Sequence, residues 1–270
     1  MNTSLLLPRH FFVVLLAGLG LGLGLSAAGA GTVISESFQF GPEVAHRAEV
    51  KTGDGFESGP VQEGESEWKV SNSGKSKKGN SFEYVEGGGI SYVPHQDRGN
   101  ASFRTTLPSE ADGKALEAVV EFLPGTLWGK EDRSGIMGLW VGFVDESDPR
   151  GLLANIDGAN LVLVRFAVSD IGGRALLRLN SSSGSAKKPA NSKVFQIDPT
   201  VLHRLVLRVD PAAGTVGATL EDAEGSPLAE LTDDAPEAGG FSSFKIDLTS
   251  LTYDEHALPP VLKKVVITAD

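Results

Sequence analysis

The sequence has no cysteine, which excludes disulfides, thiolate metal sites, lipid-bearing cysteines and cysteine nucleophiles together. Histidine is scarce as well, 5 in 270 residues, and His46, His95, His203 and His256 all lie far apart in the chain. No His-x-x-x-His zinc face and no facial triad can therefore be read from spacing. A Gly-x-Ser-x-Gly nucleophile elbow is missing too. Basic charge falls short of acidic charge, with 24 Lys and Arg against 35 Asp and Glu, and a net charge of −11 repels nucleic acid. Helical periodicity is nearly absent, with room for a helical turn only at 109–115 and 251–258.

Long hydrophobic runs are also missing, with one exception. After Arg9 and His10 an uncharged apolar stretch begins at Phe11 and ends in Ala28-Gly29-Ala30. A basic start, an apolar middle and a small-x-small exit suit signal peptidase, whose pocket admits only small side chains. The expectation is a signal peptide over 1–30, cleaved near Ala30 or Gly31. The competing reading is a retained membrane helix, which the run of glycines disfavours. No second such run exists, so the mature chain is expected to be secreted, periplasmic or extracellular without inserting in a membrane. Losing Arg9 takes its net charge one further, to −12. Without disulfides such a chain depends on burial alone, which about 240 residues can supply.

The mature sequence is dominated by alternation with period two, the mark of strands with one buried face. Leu116, Ala118, Val120 and Phe122 alternate with Glu117, Val119 and Glu121. The pattern returns in Val162, Val164, Phe166 and Val168, in Ala175, Leu177 and Leu179, and in Leu205, Leu207 and Val209. Shorter runs stand at 33–38, 66–70, 81–85, 101–107, 138–144, 215–221, 244–248 and 262–268, separated by turn signals such as Gly172-Gly173 and Asp210-Pro211. About twelve to fourteen strands in one domain over 31–270 predict an all-β fold, an antiparallel β-sandwich.

The order of these elements resembles the concanavalin A-like lectin/glucanase superfamily, a jelly-roll sandwich that includes laminin-G-like modules. The residues that carry the likeness are Val33-Ile34-Ser35-Glu36-Ser37-Phe38, Ser66-Glu67-Trp68-Lys69-Val70 and Phe103-Arg104-Thr105-Thr106-Leu107. They continue in the hairpins of 116–180, in the strand-then-turn His203 to Asp210, and in the closing strand Leu262 to Ile267. The resemblance spans nearly all of 31–270 and implies a lectin, glycosidase or lyase, which fold alone does not choose between.

Retaining glucanases of that superfamily carry Glu-x-Asp-x-Glu or Glu-x-Asp-x-x-Glu on one strand. Here Glu117 and Glu121 share a face without the central aspartate, roughly 13 Å apart. A retaining pair stands about 5 Å apart, so no catalytic residue is assigned. The acidic turn Asp145, Glu146 and Asp148 offers oxygens for calcium, the only cofactor considered, against the plainer reading of a solvated turn.

Arginines recur on the faces opposite the core: Arg165, Arg174 and Arg178, then Arg204 and Arg208. In one sheet they would form a basic patch able to grip carboxylate or sulfate. The plainer alternative is cross-strand pairing with Glu117, Glu121 or Glu221. Trp128, in the loop from Pro124 to Lys130, is the aromatic expected to meet a sugar ring, whereas Trp68 and Trp140 stand in strands and are expected in the core. The expected function is an exported, non-catalytic carbohydrate-binding or surface-interaction module whose partner is a polysaccharide, with an acidic glycan as the charge-matched case. The alternatives are a polysaccharide lyase or glycoside hydrolase of the same fold, and a structural part of an envelope or extracellular assembly.

Overall fold

The computed structural model describes residues 31–38, 49–50, 68–73, 81–85, 88–93, 99–125, 138–145, 161–168, 173–182, 191–236, 240–250 and 260–270. The expected leader over 1–30 and the possible helical turn at 251–258 lie outside them. Among the described residues no helix is long and apolar enough to cross a membrane. A 3-10 turn at Ser109–Ala111 falls inside the stretch where a helical turn is expected.

Every other regular element among the described residues is a strand. In chain order they are β1 (Gly31–Glu36), β2 (Glu49–Val50), β3 (Trp68–Ser73), β4 (Ser81–Tyr84), β5 (Ile90–Val93), β6 (Gly99–Thr106), β7 (Leu116–Leu123) and β8 (Gly138–Val144). There follow β9 (Leu161–Val168), β10 (Arg174–Ser182), β11 (Asn191–Gln196), β12 (His203–Asp210), β13 (Thr215–Glu221), β14 (Pro227–Asp234), β15 (Ser243–Ser250) and β16 (Val261–Ala269). They form two antiparallel sheets. The nine-stranded sheet runs β14-β13-β12-β7-β16-β5-β4-β2, with β1 also paired to β16. The seven-stranded sheet runs β11-β10-β9-β8-β15-β6-β3.

Alternation explains how the sheets meet. Strand β7 buries every second residue, from Leu116 to Phe122, and its neighbour β12 does the same from His203 to Val209. Facing them, β8, β9 and β15 contribute Leu139, Val141, Phe143, Val164, Phe166, Phe244 and Ile246 to one continuous core. Across the layers Phe122 meets Phe166 edge-on at 5.2 Å, and within the seven-stranded sheet Trp68 meets Phe244 at 6.5 Å. Burying each such side chain contributes about 1.5–3 kcal/mol, which lets the fold stand without disulfides.

At the exit of β1 the chain carries an ionisable group into this core. Glu36 is 1% exposed, and its Oε1 accepts a 2.7 Å hydrogen bond from the Phe38 N–H. Phe38 adopts the left-handed region (φ 47°), and its carbonyl accepts from the Gly89 N–H at 2.9 Å. Burial outweighs the backbone donors of Phe38 and Ser37, and pushes the Glu36 carboxyl up to about 7.

The two sheets are also joined at one edge. Ser181 Oγ donates to the Asp234 carbonyl and Asn191 Nδ2 to the Thr232 carbonyl, both at 2.7 Å, so β10 and β11 of one sheet hold β14 of the other. At the opposite end of β10, Gly173 (φ 75°) makes the turn into the strand, and its carbonyl accepts from the Ile197 N–H at 2.9 Å.

Candidate ligand face

The face of the seven-stranded sheet turned away from the core is unusual in what it buries. Register places Ser192, Arg178, Arg165, Trp140, Asp247, Ser102 and Ser71 in a single row across its seven strands. A neighbouring row contains Leu163, Gly142, Lys245 and Arg104. Arg165 and Lys245 are each 2% exposed and Asp247 is fully buried. Strand β9 is buried along its whole length, on both faces. Val144, Leu161 and Leu163 form a second apolar cluster here, with Trp140 packed on it.

Trp140 is therefore not in the core as expected, although Trp68 is. The reason is parity: Leu139, Val141 and Phe143 take the inward positions of β8, so the residue between them points outward. Its ring serves the arginine beside it, since the Arg165 guanidinium carbon lies 5.1 Å from the ring centroid. Burial first, and the charge of Arg178 second, lower the Arg165 pKa to about 10.

Of the five arginines expected to share a patch, three do share a face. Arg178 stands directly opposite Arg165, and Arg174 lies on the same side of β10 four residues earlier. Arg174 and Arg178 are exposed, and Arg178 makes no ion pair among the described residues. Arg204 and Arg208 belong elsewhere. Strand β12 pairs with β7 and β13 in the nine-stranded sheet, where Arg204 Nε meets Glu121 Oε1 at 3.2 Å and Arg208 Nη2 meets Glu117 Oε2 at 2.8 Å. Alternation fixes which face a side chain takes, but not which sheet its strand joins. The same ion pairs give Glu117 and Glu121 a cross-strand role.

Several expected residues lie outside the described ones: Trp128, Glu146, Asp148 and His95. Asp145, at the end of β8, is half-buried. Among the described residues no group of three or more His, Asp or Glu is placed to hold a metal ion. His203 points into the core of the other sheet, 1% exposed, 6.4 Å from Phe122, with Nδ1–H donating to the Val201 carbonyl at 2.9 Å. Desolvation lowers its pKa, and it is remote from the arginine face by sheet.

Sequence reading passed over two features of this face. Lys245 and Asp247 alternate with Phe244, Ile246 and Leu248 and so read as solvated, yet β15 lies between β8 and β6 and both are buried. The second is the open end of the face, where β10 meets the edge strand β11: Leu176 lies opposite Val194, and Val194 is 56% exposed.

No protein-family model matches the chain, and no curated protein matches it in sequence. Solved structures do match. The VIP36 exoplasmic/lumenal domain in its Ca2+/Man3GlcNAc-bound form aligns with a TM-score of 0.52 at 10% identity, over 74% of this chain and 82% of that one. The legume lectin-like domain from Entamoeba histolytica aligns with a TM-score of 0.51 at 7% identity, over 73% of this chain and 88% of that one. Identities this low speak to architecture alone. With two antiparallel sheets of nine and seven strands packed face to face, this chain has the jelly-roll fold of the concanavalin A-like lectins.

Proposed function

We propose that the protein is an exported, non-catalytic carbohydrate-binding module and that its ligand is an acidic glycan, held on the outer face of the seven-stranded sheet at Arg174 and Arg178. The observation that carries this reading is the arginine pair. Like charges directly opposite one another on a sheet oppose folding, and Arg178 faces the buried Arg165 across the ladder. The Trp140 ring supports Arg165 from below, while Arg178 remains open to solvent. A carboxylate or sulfate on the exposed Arg178 guanidinium makes paired N–H···O bonds.

The lectin likeness supports a sugar as the bearer of that anion, and VIP36 is a protein of this fold seen with a glycan bound. The placement of His203 removes one candidate base from the lyase alternative, while His95 lies outside the described residues. A lyase of this fold needs a base beside the carboxylate-neutralising arginine, and this histidine faces the core of the opposite sheet. The leader-like segment over 1–30 supports export.

The test is co-sedimentation with insoluble neutral and acidic polysaccharides, with and without calcium, using the protein as released by a secreting host from the full-length sequence. The expected result is release into the medium or periplasm and retention on acidic polymers, weakened by salt. Retention by none of the polymers refutes carbohydrate binding and leaves the assembly role. The calcium arm tests the acidic residues Asp145, Glu146 and Asp148.

A further inference from the structure

We propose that the β10–β11 end of this face takes an anionic polysaccharide lengthwise, Arg174 and Arg178 each gripping a charged group on a different sugar of one chain while Leu176 and Val194 pack against the ring between them. The proposal rests on the glycan-binding reading and adds to it how the chain lies and what length of it is read.

Period-two geometry lays the strip out. Arg174, Leu176 and Arg178 point the same way from β10, and their register partners on β11 are Gln196, Val194 and Ser192. The result is three rungs: cation with amide, aliphatic with aliphatic, cation with hydroxyl. The two arginines stand roughly 13 Å apart along the strand. That span exceeds what a single carboxylate or sulfate bridges, so both are engaged only by charges carried on separate units of a polymer. The middle rung is independent evidence for a ligand surface. Val194 is one of two large hydrophobic side chains exposed among the described residues, and the other, Val201, lies outside this strip. An apolar rung between polar ones matches a sugar chain, whose rings present CH faces between charged and hydroxylated edges. Serine and glutamine beside the arginines supply donors and acceptors for the hydroxyls. Toward the middle of the sheet the same face is closed, since Ala167, Arg165 and Leu163 of β9 are all buried, so the strip is bounded on that side.

The experiment is calorimetric titration of the protein with galacturonic acid, with oligogalacturonates of increasing length, with a sulfated oligosaccharide series, and with neutral mannan oligomers. Affinity for the anionic series is expected to climb with length until one chain spans both arginines and then to level off. Arg174→Gln and Arg178→Gln are each expected to weaken the long oligomers about tenfold, the worth of one charge-assisted contact. Arg178→Lys is expected to recover only part of the loss, because it keeps charge without the planar fork. A polar Val194→Ser is expected to weaken long oligomers about threefold and leave single sugars unaffected.

The proposal is overturned if galacturonic acid alone binds as tightly as the oligomers, or if either arginine variant binds long oligomers as the parent does. Binding of neutral oligomers that ignores both arginines overturns this proposal but keeps the carbohydrate-binding module. Failure of every glycan to bind refutes both. Unchanged melting temperatures for these surface variants establish that any loss is one of binding.

Discussion

Replacing Glu36 by Gln isolates the effect of one buried charge. The carboxyl has an ordinary pKa of 4.5 and in the fold is pushed up to about 7, by burial above all. Between those two values the unfolded chain has released its proton while the folded chain still holds it. Stability is then fully present below 4.5 and falls as pH rises, until the folded carboxyl ionises near 7. The loss amounts to about 3 kcal/mol, the free energy that separates the two proton affinities. Glutamine has nearly the same shape, keeps an oxygen for the Phe38 N–H and never ionises. Urea denaturation followed by tryptophan fluorescence should find the two proteins close at pH 4.5, and Glu36→Gln more stable by about 3 kcal/mol at pH 8. In a chain of this size that is a melting temperature higher by about 6 to 12 °C. A stability difference that is the same at both pH values, or that shrinks as pH rises, would refute the reasoning.

Other perturbations follow from the same geometry. Gly173→Ala puts a methyl group against the Ile197 carbonyl at a positive φ, and should cost about 3 kcal/mol or more, whereas Gly214→Ala (φ 67°), with nothing within 4 Å, should cost only about 1 kcal/mol; thermal melts compare the two directly. A double-mutant cycle between Arg208 and Glu117 should give a coupling of about 0.2–1 kcal/mol despite the 2.8 Å contact, because Arg208 is 65% exposed, and a coupling above about 2 kcal/mol would contradict that. His203 should titrate below 6.5 by NMR. Its contribution should be fully present above pH 6.5 and be lost as pH falls through the lowered folded value, so replacing it should flatten the stability profile on that acid side.

Much of this fold was legible in the chain; β2 and β5, two and four residues long, are too short to show alternation, and the two longer strands that went unread share another cause. Strands β7, β10 and β12 alternate because each has one wet and one dry face. Strands β11 and β14 escaped notice because they lie at the ends of their sheets: β11 is exposed at five of six positions, and β14 opens on proline and carries Glu230, Asp233 and Asp234. A strand with little to bury has no reason to alternate. Strand β9 misleads in the opposite sense, since its outward residues are buried too, which is how Arg165 came to look solvent-facing. The candidate site was half legible for a similar reason. Sequence paired β9 with β10 and so found Arg165 and Arg178 together, because a hairpin is a local fact. The remoteness of Arg204 depends on β12 crossing to the other sheet, which no local pattern records.

The two hydrogen bonds that hold β14 against β10 and β11 bear on how copies of this protein treat one another. An end strand offers a row of spare backbone groups on which a second molecule can polymerise. Here the Thr232 and Asp234 carbonyls are already occupied by Asn191 and Ser181, and Asp233 and Asp234 add negative charge that a second acidic copy must approach. The bonds thus guard colloidal stability as well as shape. For the polysaccharide-binding module proposed above, which would gather on its polymer at high local concentration, a sheet edge without that guard would become the seed of a fibril.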